Sequence, residues 1–181
     1  KKRSLRPAAR TNGPIGSGTR VAKLDQRGRS SVDGWMPLAI RFLARCDRTV
    51  AHVEQFLRSK GALPPQIRYT IRRLSDLRYL NDQTYAQRWV ERRLVSRPMG
   101  PARIKAELQA KGIAETVADR VIADVFHVVG EERMARRALN ARQRHGNRLT
   151  PAQSVRLLRQ RGFDEETIDR IVMVAHGSDE G

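Results

Sequence analysis

The chain has 181 residues, a formal net charge of +17, 39% apolar residues and only 5% aromatic residues. That length holds one domain or a short row of small units, and the charge calls for an acidic polymer or acidic protein surface as partner while leaving the fold open. Cys46 is the only cysteine, which excludes an intrachain disulfide and suits the reducing cytoplasm, with Cys46 read as a small structural residue.

Residues 1–36 carry nine Lys/Arg against Asp25 and Asp33, with Gly, Pro and Ser scattered through them. Such a stretch buries too little apolar surface to offset its ordering entropy, so a flexible basic arm is expected. Its start, KKRSLRPAAR, is not followed by the apolar run of a secretory signal. GPIGSGTR within it lacks the Gly-Lys-Ser/Thr ending and the preceding strand of a phosphate loop. The uncharged run from Ile171 to Ala175 falls far short of the roughly 20 apolar residues of a membrane span, so no membrane partner is expected.

From Pro37 the chain repeats itself. Lys60-Gly61, Lys111-Gly112 and Arg161-Gly162 stand 51 and 50 residues apart, each with a leucine four residues before its glycine: Leu57, Leu108 and Leu158. Twelve residues before the glycines stand Thr49, Gly100 and Thr150, in helix N-cap positions. Pro101 and Pro151 follow at once, where proline suits the first helical turn. The glycine then closes the helix in a left-handed conformation, beside a cation that suits the helix dipole.

Flanking helices complete each repeat. The preceding ones present Ile40, Phe42 and Leu43; Tyr85, Ala86, Trp89, Val90 and Leu94; Met134, Ala138 and Leu139. The following ones present Ile67, Ile71 and Leu74; Val117, Val121, Ile122 and Val125; Ile168, Ile171 and Val172. These are 3.6-residue faces, with no convincing strand pattern. The predicted fold is all-α: three tandem three-helix repeats at 37–80, 81–128 and 129–176, with a tail at 177–181. Units this small need stacked neighbours, so an elongated, curved array is expected.

No constellation for chemistry emerges. The four histidines (His52, His127, His145 and His176) lack metal-ligand spacing. Asp164 to Asp169 is an acidic cluster at a helix start, where acids complement the dipole and Asp164 caps. No Ser/His/Asp arrangement is available. No cofactor, no metal and no enzymatic activity are therefore expected.

The stretch Asp76 to Ile113, DLRYLNDQTYAQRWVERRLVSRPMGPARIKAELQAKGI, resembles the central motif of the RecX family of bacterial regulators. The resemblance rests on Tyr79-Leu80-Asn81-Asp82, the helix through Tyr85 and Trp89, Gly100 to Ile104, and Glu107-Leu108 with Lys111-Gly112. Asn81 replaces a commoner Asp and still caps a helix. The likeness extends more weakly from Pro37 to about Ala175, and does not include the basic arm.

That resemblance implies a non-enzymatic protein that binds the RecA recombinase, free and as a filament on single-stranded DNA. It would lodge in the filament groove and restrain ATP hydrolysis, strand exchange and co-protease activity, thereby modulating DNA repair and the SOS response. The basic side chains expected to contact RecA or nucleic acid are Arg88, Arg92, Arg93, Arg97, Arg103, Lys105 and Lys111, with Arg144 and Arg148 in the loop of the third repeat. Trp89, Tyr79 and Tyr85 are expected in the core, and Arg103 has Glu107 within i,i+4 reach. A monomer is expected. The competing reading is an independent DNA-binding protein without sequence preference, held by counterion release.

Overall fold

The computed structural model of the chain describes residues 34–143 and 149–176. Among them are nine α-helices and no strand: α1 (Trp35–Leu43), α2 (Val50–Ser59), α3 (Pro64–Asp76), α4 (Asp82–Ser96), α5 (Pro101–Gln109), α6 (Glu115–Val129), α7 (Glu131–Gln143), α8 (Pro151–Gln160) and α9 (Glu165–His176). The first begins two residues ahead of Pro37. The expected basic arm at 1–33 and the tail at 177–181 lie outside the described residues.

The helix starts follow local chemistry. Thr49 caps α2 by accepting the His52 amide at 3.2 Å, and the Thr49 amide donates back to His52 Nδ1 at 3.3 Å. Thr150 and Gln153 form the same reciprocal pair at α8, and Asn81 Oδ1 accepts the Thr84 amide at α4. Asp164 Oδ1 accepts the Thr167 amide, so the acidic cluster is a helix start as expected. Each cap supplies acceptors to amides that the helix itself leaves without a partner.

Leu57, Leu108 and Leu158 are fully buried, each contributing about 1.5–3 kcal/mol by removal from water. The helical faces read from the sequence divide into two cores. Ala39, Val53, Leu57, Ala62, Ile67, Leu74 and Leu80 gather with α1–α3, ringed by half-buried Ile40, Phe42 and Ile71. A second core runs without a break from Ala86 on α4 to Ile171 on α9. Four side chains differ from expectation. Tyr85 and Trp89 are only half-buried against the second core, and Tyr79 and Cys46 are exposed. Tyr79 falls in the turn between α3 and α4, where no neighbouring helix covers it.

The second helix of each set meets the next set end to end. At the first seam, Thr49 Oγ1 donates to the Lys111 carbonyl at 2.9 Å, and the Val50 amide donates to Asp82 Oδ1 at 2.9 Å. The His52 and Tyr85 rings meet edge to face, their centroids 6.5 Å apart. At the second seam, the Gly100 amide donates to the Arg161 carbonyl at 2.9 Å and the Ala102 amide to the Gly162 carbonyl at 3.1 Å. Arg161 Nη1 reaches back to the Pro98 carbonyl at 2.8 Å. The start of α2 thus rests on the end of α5, and the start of α5 on the end of α8. A Cβ on Gly100 would overlap the Gly162 carbonyl, and one on Gly162 would overlap the Arg103 backbone. Glycine at this joint answers to close approach as well as to the left-handed backbone of Gly162 (φ +77°).

Candidate interaction surface

The predicted basic residues separate into two groups. Arg88 and Arg92 project from α4 and are exposed. Arg88 meets Asp47 of the α1–α2 connection at 3.6 Å, and its side chain stays 62% exposed. Arg92 Nε donates only to the Arg88 carbonyl of its own helix, at 3.2 Å. Exposed ion pairs of this kind hold charge loosely, so both guanidiniums remain available to an anionic partner.

Other cations are committed inside the protein. Arg93 grips Glu107 through Nε at 3.1 Å and Nη2 at 3.2 Å, joining α4 to α5, and Arg103 Nε reaches the same carboxylate at 3.2 Å. Burial pushes the Glu107 carboxyl up, but the two guanidiniums outweigh it and hold the group below its ordinary value. Lys105 on α5 binds Glu115 at 2.7 Å and Asp119 at 2.8 Å on α6. Its hydrogen bonds to Asp119 and Glu115 raise its pKa above the ordinary lysine value. Lys111 sits over the Trp89 ring at 5.2 Å and Arg93 at 5.9 Å, so the half-buried indole holds two cations by its π face. Arg97 is exposed at the end of α4. Arg144 and Arg148 lie outside the described residues.

Beside Arg88 the seam is held by a carboxylate and an imidazole. Burial raises the Asp82 carboxyl above its ordinary value, opposed by the Val50 amide and by His52. Burial also depresses His52, with Arg48 and Lys111 adding repulsion. A neutral ring is what the geometry requires, because Nδ1 accepts the Thr49 amide. Among the described residues no group of His, Cys, Asp and Glu is arranged to hold a metal, and no helix is long and apolar enough to cross a membrane.

Two arginines that sequence reasoning did not single out, Arg48 and Arg78, join Arg88 around one pocket at the first seam. Arg48 gave no signal because Tyr85 and Arg88, which complete the pocket around it, come from the next unit. Arg78 gave none because its left-handed backbone stands where a sequence normally shows glycine.

Comparison with known proteins places this geometry. Residues 81–122, from the Asn81 cap into α6, match the family model described as RecX, second three-helix domain. The regulatory protein RecX of Leuconostoc citreum is 28% identical over 142 residues, 76% of this chain and 53% of that protein. In sequence and in fold the chain is similar to RecX regulatory proteins. Regulatory protein RecX of Bacillus subtilis is 40% identical over a shorter span of 75 residues, 41% of this chain and 28% of its own length. The crystal structure of RecX from Lactobacillus salivarius superposes with a TM-score of 0.69 at 25% identity, covering 81% of this chain and 97% of that one. The chain spans about half the length of the curated RecX relatives that it matches over most of its own length. The family match falls on the helices that meet both seams, and these carry Arg88 and Arg92.

Proposed function

We propose that this RecX-like chain regulates the RecA recombinase by binding it, free and as a filament on single-stranded DNA. In this reading it restrains ATP hydrolysis, strand exchange and co-protease activity from the filament groove, acting in the cytoplasm, as a monomer and without catalysis of its own. The observation that carries the proposal is the exposed Arg88–Arg92 face of α4, inside the segment that matches the RecX domain. A helix tied at both ends to neighbouring units presents charge at fixed spacing, which suits a rigid protein groove better than a loop does. Arg97 ends the same helix on its other side, beside Arg161 of the second seam. Arg93, Arg103 and Lys105 take a supporting role here, since their acidic partners hold α4, α5 and α6 together. The three helix sets are the structural units of the array.

The test is RecA-dependent ATP hydrolysis on single-stranded DNA, titrated with the protein. Arg88→Glu with Arg92→Glu is expected to leave melting nearly unchanged and to raise the inhibitory concentration at least about tenfold, or roughly 1.4 kcal/mol. Inhibition equal to that of the parent protein moves the contact surface off α4.

A further inference from the structure

The pocket at the first seam has a volume of about 390 Å³ and lies between the α1–α2 connection, the α3–α4 turn and the face of α4. Arg48, Arg78 and Arg88 line it together with Tyr79 and Tyr85, and its only carboxylate among the described residues is Asp47. Asp47 is occupied by Arg88 at 3.6 Å. Arg48 and Arg78 have no ion pair among the described residues. The Arg48 guanidinium lies 4.8 Å from the Phe42 ring centroid, and its Nε is buried without a hydrogen-bond partner among the described residues. The pocket therefore concentrates positive charge that its own walls do not neutralise.

Arg78 adds an independent observation. It is the one described residue other than glycine with positive φ, at +59°. Every other positive φ among the described residues belongs to a glycine: Gly61, Gly112, Gly130 and Gly162. Any residue with a Cβ is strained in this conformation. Arginine gains nothing there from the backbone, so its side chain accounts for its presence. Backbone strain kept where a simpler residue would serve points to a functional site.

We propose that this pocket binds a nucleotide through its phosphate, with Arg48 and Arg78 as the phosphate ligands and the exposed face of Tyr79 as the stacking surface for the base. Guanidinium forks fit phosphate and carboxylate alike. The tyrosines decide between them, since a base has an aromatic face to stack and an acidic side chain has none. The nucleotide belongs either to a single strand or to a free mononucleotide.

The experiment is fluorescence anisotropy with a labelled oligothymidylate and the full chain. No RecA is present, so the result is separate from the proposed regulation of the recombinase. Arg78→Gly removes the side chain and relieves the backbone, so its melting temperature should equal or exceed that of the parent. Its affinity should fall at least about fivefold, and the salt dependence should lose about one unit of slope. Arg136→Gln, on α7 and outside the pocket, removes the same charge and should weaken binding less than about twofold. Arg78→Asn, which also tolerates left-handed backbone, should repeat the loss and guards against an unexpected defect in the glycine variant. Thymidine monophosphate shifting the Tyr79 ring resonances in the parent but not in Arg78→Gly assigns the free nucleotide as a sufficient ligand. A response to the oligonucleotide alone assigns the strand. Equal losses in Arg78→Gly and Arg136→Gln overturn the proposal. So does displacement of the probe by oligoglutamate as effectively as by unlabelled oligothymidylate, which would make the pocket a carboxylate site.

Discussion

The two seams join the same parts of successive units and yet are built differently. At the second, backbone meets backbone: the Gly100 and Ala102 amides donate to the Arg161 and Gly162 carbonyls, and a single core continues from α4 to α9. At the first, side chains mediate: Thr49 and Asp82 supply the bonds, and the cores on either side are separate. Backbone contact needs glycine on both sides, whereas the side-chain contact has glycine on one side only, Gly112 against the Ala51 side chain, and leaves room beside it for a pocket. A rigid pair of units and a more independent first unit follow from that contrast.

Glycine substitutions should separate the seams most strongly. Gly162→Ala drives a methyl into the Arg103 backbone, and is expected to destabilise by about 2–4 kcal/mol in chemical unfolding. Gly112→Ala meets only the Ala51 side chain, so Ala51→Gly should recover part of its loss. Gly61 closes α2 with nothing within 4 Å of an added Cβ, and Gly61→Ala should lose only the conformational term of about 1 kcal/mol. Equal effects at Gly61 and Gly162 would remove close approach from the account.

Hydrogen exchange tests the divided core. Amides of α1–α3 are expected to open at lower free energy than those of α5–α9, because the smaller core unfolds as its own unit. One common opening energy would make the two cores a single cooperative body.

The carboxylates that open α4 and α7 sharpen the comparison further. Asp82 accepts the Val50 amide across the first seam, while Glu131 accepts the Asp164 amide within its own unit at 3.1 Å. Burial pushes Glu131 up to about 7, with the Asp164 carboxylate adding to the shift. A raised folded pKa gives stability that is complete below the unfolded value of 4.5 and lost as pH rises through about 7. Glu131→Gln should therefore flatten the fall in melting temperature between pH 5 and 8, by about 1 kcal/mol once solvent screening is allowed for. Asp82→Asn should act in the same direction at lower pH. The smallest effect is expected at Asp47→Ala, within about 0.5 kcal/mol, because both partners of its ion pair are exposed.

Much of the local structure was legible in the sequence. Thr49, Gly100 and Thr150 begin their helices, the glycines after Lys60, Lys111 and Arg161 turn left-handed, and the three spaced leucines are buried. These depend on chemistry within a dozen residues. The end-to-end seams were not legible, since the bond from Thr49 to Lys111 spans 62 residues. Nor was the commitment of cations: Arg93 and Lys105 each meet acids 14 residues away, on helices whose rotation only packing determines. Tyr79 reads as core by type but lies in a turn.

A joint made from one helix start and one helix end asks nothing of the rest of either unit. The chain itself displays the freedom this allows. Phe42 and Phe56 stack at 4.0 Å between the first two helices of the first unit, and the residues 51 positions later, Arg93 and Glu107, form an ion pair instead. After a duplication, the interiors of such copies can diverge from oil to charge without disturbing their neighbours. The narrow joint at Gly100 and Gly162 is where inheritance has least latitude.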